Sequence, residues 1–364
     1  METAKASIHN FNAGPSVLPQ EVFEEASQAI LDFNNSGLSI LEIGHRTPLF
    51  QAVMDEARGL VRELMNLRDE QEVLFLHGGA TTQFMQVPMN LVDEPELAAY
   101  TDTGVWASKA IKEAKLFGHV EVICTGKPDN YRRLPKEFRA TPTAKYLHLT
   151  TNNTIYGTQW QDLSVFYEQG VPLVADMSSD ILSRVIDFSK FDLIYAGAQK
   201  NMGAAGVNLV VVNRNLLGGL RRVIPTIMDY RSHIEAGSLL NTPPVFAVYV
   251  CLLTLRWLKK QGGVAAMEQR NLEKSSLLYS TLDSLPLFKG QVAKEDRSHM
   301  NAVFTIEDAA AEKEFLDLCK REGMIGVKGH RLSGGFRVSM YNALTIDSVR
   351  ALTDLMRDFG RRKG

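Results

Sequence analysis

Leu193-Ile194-Tyr195-Ala196-Gly197-Ala198-Gln199-Lys200-Asn201-Met202-Gly203 is the stretch that decides the fold. Leu193 to Ala196 is a short apolar run of the kind that makes a buried strand. It opens directly onto a lysine set among small residues, and surface lysines rarely have such flanks. A lysine in a constricted, partly desolvated site can lose its proton, become nucleophilic and form a Schiff base with a carbonyl. Ligands of open α/β sheets bind beyond the carboxyl ends of the strands, so the residues that follow each strand-like run are where chemistry is sought.

Working outward, the other β-prone runs are Val73 to Leu76, Leu97 to Thr101, Val120 to Cys124, Tyr146 to Leu149, Val171 to Ala175 and Val207 to Val212. Amphipathic stretches separate several of them. Val105 to Phe117 places Ala107, Ile111, Ala114 and Phe117 near one helical face. The alternation predicts an α/β fold with a mostly parallel sheet between helices. After Pro243 and Pro244 the pattern predicts a helix over Val245 to Lys260, stopped by Gly262 and Gly263, and then a second long helix. The remainder reads as a smaller α+β unit, with Phe304 in a strand and Ser348 to Arg361 as a terminal helix. The expected division is a large domain over 16–262 and a small one over 263–364, joined by an N-terminal arm, 1–15.

Each run leads into something informative. His77-Gly78-Gly79-Ala80-Thr81-Thr82 offers free backbone N–H groups at a helix start, a cradle for phosphate, although Gly-Gly after a strand is more often only a tight turn. Trp106 follows the second run, the polar turn Thr150-Thr151-Asn152-Asn153-Thr154-Ile155-Tyr156-Gly157 the fourth, and Asp176-Met177-Ser178-Ser179 the fifth. A lone tryptophan usually packs, a polar turn is usually a turn, and an acid in that place usually caps a helix. Together, in this order, they fit one cofactor. Pyridoxal phosphate needs a lysine imine, an acid beside the pyridine nitrogen, an anion cradle and a flat apolar neighbour. An ionised aspartate keeps the ring nitrogen protonated, because opposite charge favours the charged form.

The 364 residues hold about two domains at roughly 150 residues each. Forty Lys plus Arg against 42 Asp plus Glu leave a net charge of -2, so there is no broad positive field for nucleic acid or an anionic membrane, and anion recognition must be local. Val245 to Leu253 is far short of the roughly 20 apolar residues of a membrane helix, and Met1 to Asn10 lacks the apolar stretch of a secretory signal. The cytoplasm is the expected compartment. Cys124, Cys251 and Cys319 are odd in number and widely spaced; they read as buried thiols, not as a disulfide framework or a zinc ribbon. Neither a metal site nor a nucleotide fingerprint is indicated.

The sequence also resembles a family nearly end to end, the phosphoserine aminotransferases among the fold-type I pyridoxal enzymes. The likeness runs through Asn10-Phe11-Asn12-Ala13-Gly14-Pro15, Gly44-His45-Arg46, His77-Gly78-Gly79, Ala196-Gly197-Ala198-Gln199-Lys200-Asn201, Asn241-Thr242-Pro243-Pro244, Lys328-Gly329-His330-Arg331 and Tyr341-Asn342-Ala343. It implies the fold-type I architecture, with Lys200 joined to pyridoxal 5'-phosphate, Asp176 at the pyridine nitrogen, Trp106 stacked on the ring and Thr154 at the ring oxygen. The cofactor phosphate would be held by Ala80, Thr81 and Gln199, and by Asn241 and Thr242 from a second subunit of a homodimer. The substrates implied are L-glutamate and a phosphorylated 2-oxo acid, 3-phosphohydroxypyruvate, in serine biosynthesis, with 4-phosphohydroxy-L-threonine as a further candidate. Two His-Arg pairs, His45 with Arg46 and His330 with Arg331, are expected around the substrate phosphate or the glutamate side chain. Arginine's bidentate fork makes Arg337 the choice for the α-carboxylate.

One departure stands out: many members carry glycine, arginine, glycine where this chain has Ala80, Thr81 and Thr82, so a cation near the substrate phosphate is missing there. The rival readings are another pyridoxal enzyme of this fold, an alanine-glyoxylate-type aminotransferase or a cysteine desulfurase, and more remotely a noncatalytic phosphate-ligand module.

Overall fold

The seven apolar runs are the seven strands of one sheet. The structure is a computed structural model describing residues 8–363, so the first seven residues of the expected arm lie outside the described residues. In chain order the strands are β1 (His9–Asn10), β2 (Gln71–His77), β3 (Leu97–Asp102), β4 (His119–Thr125), β5 (Leu147–Thr150), β6 (Leu173–Asp176), β7 (Leu193–Gly197), β8 (Val207–Asn213), β9 (Lys289–Gly290), β10 (Asn301–Thr305), β11 (Met324–Ile325) and β12 (Phe336–Ser339). The large sheet runs β2-β8-β7-β6-β5-β3-β4. β4, β3, β5, β6 and β7 pair in parallel, whereas β8 is antiparallel to both β7 and β2. The reason is chain length. A parallel return needs a crossover of a dozen or more residues, and only Ala198 to Gly206 connects β7 to β8. Lys200 therefore lies on a short turn at the end of a buried strand.

β5, β6 and β7 are buried at every residue, as central strands covered on both faces must be. One layer packs around Leu74, Tyr100, Tyr146 and Tyr195; the opposite face packs around Val73, Phe75, Leu149 and Ile194 together with the helices Pro48–Met65 and Val245–Lys260. β4, at the edge, is only half-covered, and this corrects one expectation: Cys124 is half-buried there, while Cys251 and Cys319 are buried. Two boundaries also move toward the chemistry. β5 and β6 each end one residue later than the apolar runs, so Thr150 and Asp176 are terminal strand residues paired in register. The helix after Trp106 spans Val105–Ala114 and the terminal helix Ile346–Lys363.

A second apolar core lies around Phe304, Phe315, Phe336 and Phe359. It is built from the sheet β12-β10-β9 with the helices Ala309–Arg321 and Ile346–Lys363. Phe11 of the arm is buried in this core, and β1 pairs with β11 in parallel. The helix Gly263–Ser284 serves both cores, with Val264 and Met267 in the first and Leu278 and Leu282 in the second.

That helix also carries a buried lysine. Lys274 Nζ donates to the carbonyls of Met340 (3.1 Å) and Tyr341 (2.7 Å), and burial pushes its pKa down to about 7. The unfolded chain keeps this proton to about pH 10, so between about pH 7 and 10 the unfolded state binds more protons and stability climbs with pH, by up to about 1.4 kcal/mol per unit. Lys274→Met is expected to flatten that climb, as read from denaturant midpoints at pH 6.5, 7.5 and 8.5. Identical slopes in the two proteins would contradict it.

Candidate active site

The carboxyl ends of β5, β6 and β7 and the start of the helix Gly79–Leu91 enclose a cavity of about 200 Å³. Its walls bring together Ala80, Thr81, Trp106, Thr154, Asp176, Gln199 and Lys200, all named from sequence. They also include Phe84, Thr150, Asn152, Ser178 and Ser179, which carry no predicted role, although all but Phe84 lie in the post-strand turns quoted above.

Local geometry explains why these side chains meet. Gly78 has φ +90°, and a Cβ there would sit 2.0 Å from Thr82 Oγ1, so only glycine lets the chain turn from β2 into the helix. That helix has no side-chain cap, which leaves its first N–H groups free at the cavity wall. Thr82 donates back to Gly78 O (3.0 Å), and Thr81 is the threonine that lines the cavity. Lys200 is fixed from two sides. Its Nζ donates to Thr154 Oγ1 at 2.7 Å. Its backbone is held by Ser16, the first residue after the arm, whose N donates to Gln199 O (3.0 Å) and whose Oγ donates to Lys200 O.

The electrostatics follow from burial. Desolvation pushes the Lys200 pKa down to about 8, with the positive charge of Arg337 adding to the fall and the carboxylates of Asp176 and Asp180 opposing it. Desolvation raises Asp176 above the usual carboxylate range, opposed by hydrogen bonds from Ser178, including its N–H to Oδ1 at 2.9 Å, and by the charge of Lys200. A cation opposite this carboxylate favours its ionised form.

The remaining predicted residues divide into two sets. Arg337, on β12, acts electrostatically on Lys200, and its Nε is buried without a partner. His330 lies in the turn beside it: burial first, then the charges of Arg337, Arg331 and Lys109, hold its pKa below the usual value. Asn241 and Thr242 do not line the Lys200 cavity. They border an adjoining recess of about 500 Å³ that shares Gly78, where His77 Nε2 meets Thr242 O at 2.7 Å. His45 and Arg46, in the turn before the helix Pro48–Met65, are likewise not brought to the cavity within this single chain.

The family model described as Aminotransferase class-V matches residues 8–352. The chain belongs to this family. It is 55% identical over 350 residues to the phosphoserine aminotransferase of Flavobacterium johnsoniae, covering 96% of this chain and 98% of that protein. Among solved structures, the phosphoserine aminotransferase from Bacillus circulans subsp. alkalophilus superposes with a TM-score of 0.95 at 42% identity, covering 98% of this chain and 99% of that one. The PLP-bound phosphoserine aminotransferase from Trichomonas vaginalis gives 0.91 at 33%, covering 96% and 100%.

The cofactor of this class-V aminotransferase is pyridoxal 5'-phosphate, and the residues present fit it. The cavity offers an amine of lowered pKa, a buried carboxylate, an uncapped helix start and an indole plate. Thr150 Oγ1 and Trp106 Nε1, both on its walls, are buried with no partner in the protein. All three thiols are pushed up to about 12, chiefly by burial, so none is the reactive cysteine a desulfurase needs.

Capture of pyridoxal 5'-phosphate by the cofactor-free chain is expected to quicken with pH through a midpoint near 8, against 10.5 for an ordinary lysine. Arg337→Met removes a repelling charge and moves the midpoint up. Asp176→Asn removes an attracting one and moves it down. The measurement is the initial rate of imine absorbance from pH 6.5 to 10.5, and a wild-type midpoint above 10 would contradict the assignment.

Proposed function

We propose that this class-V aminotransferase exchanges the amino group of L-glutamate with 3-phosphohydroxypyruvate, giving 2-oxoglutarate and O-phospho-L-serine for serine biosynthesis. The observation that carries the substrate assignment is a set of cations with no counter-charge. Among the described residues neither Arg331 nor Arg337 has a carboxylate within ion-pair distance; both act electrostatically on His330, and Arg337 acts on Lys200 as well, although none of the three lines the cavity wall. A substrate with a carboxylate and a phosphate is the complementary ligand.

When bound, pyridoxal phosphate supplies an electron sink for a carbanion next to the amino group. The protein does the rest. The uncapped helix start and the Thr81 hydroxyl bind the cofactor phosphate, with Gln199 beside them. Asp176 holds a negative charge at the ring nitrogen and Trp106 covers the ring. Thr154 positions Lys200 Nζ, and with its pKa pushed down to about 8 that amine is neutral in roughly one molecule in five near pH 7.4, on the order of a hundredfold more often than an ordinary lysine. It can therefore take a proton from the substrate carbon and return it elsewhere in each half-reaction. Arg337 anchors the α-carboxylate, and the His330-Arg331 pair the distal anion.

The reading extends to a homodimer in the cytoplasm. Asn241, Thr242, His45 and Arg46 border no part of the Lys200 cavity within one chain, which supports a site completed by a second copy. Two domains, 16–262 and 263–364, with the arm 1–15 between them, are supported by the two apolar cores, and Phe11 ties the arm to the second. No helix among the described residues is long and apolar enough to cross a membrane. 4-Phosphohydroxy-L-threonine has the same pair of anions and is a candidate second substrate.

Amino-acceptor rates test the reading. The rate constant kcat/KM for 3-phosphohydroxypyruvate is expected to exceed that for pyruvate by on the order of a hundredfold, the worth of one well-placed anionic group. No preference would favour an alanine-glyoxylate-type activity. In the Lys200→Ala protein, turnover is expected to fall by roughly 10³ or more while the cofactor still binds noncovalently, measured by steady-state rate and equilibrium dialysis.

A further inference from the structure

Lys109 lies one helical turn beyond Trp106, in the helix Val105–Ala114, and so shares its face. Its Nζ stands over the Trp106 ring, 4.6 Å from the centroid, and Trp106 is a wall of the Lys200 cavity. We propose that Lys109 is a specificity residue of this enzyme, a further cation beside the His330-Arg331 pair that binds the phosphate of the phosphorylated substrate from the Trp106 side of the cavity, opposite no carboxylate of its own. This deepens the phosphoserine aminotransferase reading and rests on it.

Three observations converge. Lys109 has no carboxylate within ion-pair distance among the described residues, unlike Lys145, which pairs with Glu96 (2.8 Å), Lys259 with Glu63 (2.7 Å) and Lys260 with Glu21 (2.6 Å), and unlike other unpaired lysines such as Lys112 it lies over an aromatic wall of the cavity. An indole holds an ammonium without neutralising it, so the charge stays available. Next, the charge of Lys109 reaches His330, as do those of Arg331 and Arg337. Three cations thus converge on one half-buried imidazole with no anion among them, an unfavourable arrangement that a doubly charged phosphate reverses. Finally, the helix start that borders the cavity presents Ala80, Thr81 and Thr82, which supply hydroxyls and N–H groups but no charge. Lys109 adds a positive charge from the neighbouring helix Val105–Ala114.

The ordinary alternative is a solvated lysine lying along an aromatic side chain for packing alone. Steady-state kinetics of the holoenzyme separate the two. Lys109→Gln is expected to lower kcat/KM for 3-phosphohydroxypyruvate about five- to twentyfold, through KM, and to lower the preference over unphosphorylated hydroxypyruvate by the same factor. Inorganic phosphate, titrated as a competitor, is expected to lose affinity in parallel. Lys109→Arg, which keeps the charge, retains most of the preference, and Lys112→Gln, which removes a charge from the same helix away from Trp106, leaves the preference and the phosphate affinity as in the wild type. Equal losses with phosphorylated and unphosphorylated acceptors would overturn the proposal in favour of packing, as would a loss confined to L-glutamate. So would an unchanged preference in Lys109→Gln. A wild-type enzyme that did not prefer 3-phosphohydroxypyruvate would instead overturn the functional reading beneath it.

Discussion

The structure depends on keeping one amine out of water while leaving it free to react. Lys200 sits on a turn too short to hold a crossover helix, and this is why β8 must run back antiparallel beside β7. The same shortness keeps the lysine at the strand end, part-buried on the cavity wall. Its amine is left with the Thr154 hydroxyl as partner and Asp176 as the nearest attractive charge, and desolvation outweighs that attraction. A carboxylate in direct contact would have stabilised the charged amine and cost the site its base. Asp176 acts at a distance, with one oxygen committed to the Ser178 N–H.

Positioning a substrate over that amine requires the two cores to hold a fixed relation, and a buried polar network provides it. Asn152 Nδ2 donates to Ser179 Oγ and to Asn301 Oδ1, each at 2.8 Å, joining the large sheet to β10. Asn301 Nδ2 reaches Ser339 Oγ on β12 (3.0 Å) and Tyr341 OH (3.3 Å), and Tyr341 OH in turn donates to Ala13 O of the arm (2.8 Å). Asn342 N donates to Asn201 Oδ1 at 3.0 Å, directly beside Lys200. Buried hydrogen bonds of this kind are costly to leave half-made, so they favour one arrangement strongly over its neighbours. Arg337 is on the same strand as Ser339, and the network therefore sets its distance from Lys200.

Much of this was legible beforehand, for reasons tied to burial. The central strands are uninterrupted apolar runs because they are covered on both faces, and the functional groups come just after them because strand ends are where a doubly covered sheet opens. Periodicity fails where neighbours decide. Nothing within Val207 to Val212 says that it runs against β7; the length of the preceding turn does. Thr150 and Asp176 look like turn residues to a hydropathy reading, yet register with one another makes them strand. Cys124 is apolar in sequence but lies on an edge strand that leaves it half-covered. The break at Gly262 and Gly263 is real, with φ of +99° and +75°, but the helix beyond it feeds both cores. Asn152 and Asn301 lie 149 positions apart, and their pairing is a tertiary fact with no local signature.

The contrast between paired and unpaired charge then separates structure from function on this molecule. Arg256 meets Glu56 through two hydrogen bonds, of 2.7 and 2.6 Å, and Arg297 meets Asp283 in the same way, at 3.0 and 2.8 Å; pairs like these fasten helices and turns, and each is worth little where water competes. Around His330 the cations are left without carboxylates, although acidic residues are abundant in the sequence. Clustered like charges weaken the fold, and an acidic neighbour would relieve that cost at once. It would also compete with the substrate for the same guanidinium forks. Since the chain carries a net charge of only -2, it has no long-range field to draw in a multiply charged anion, and the uncompensated cluster is the local field that does so.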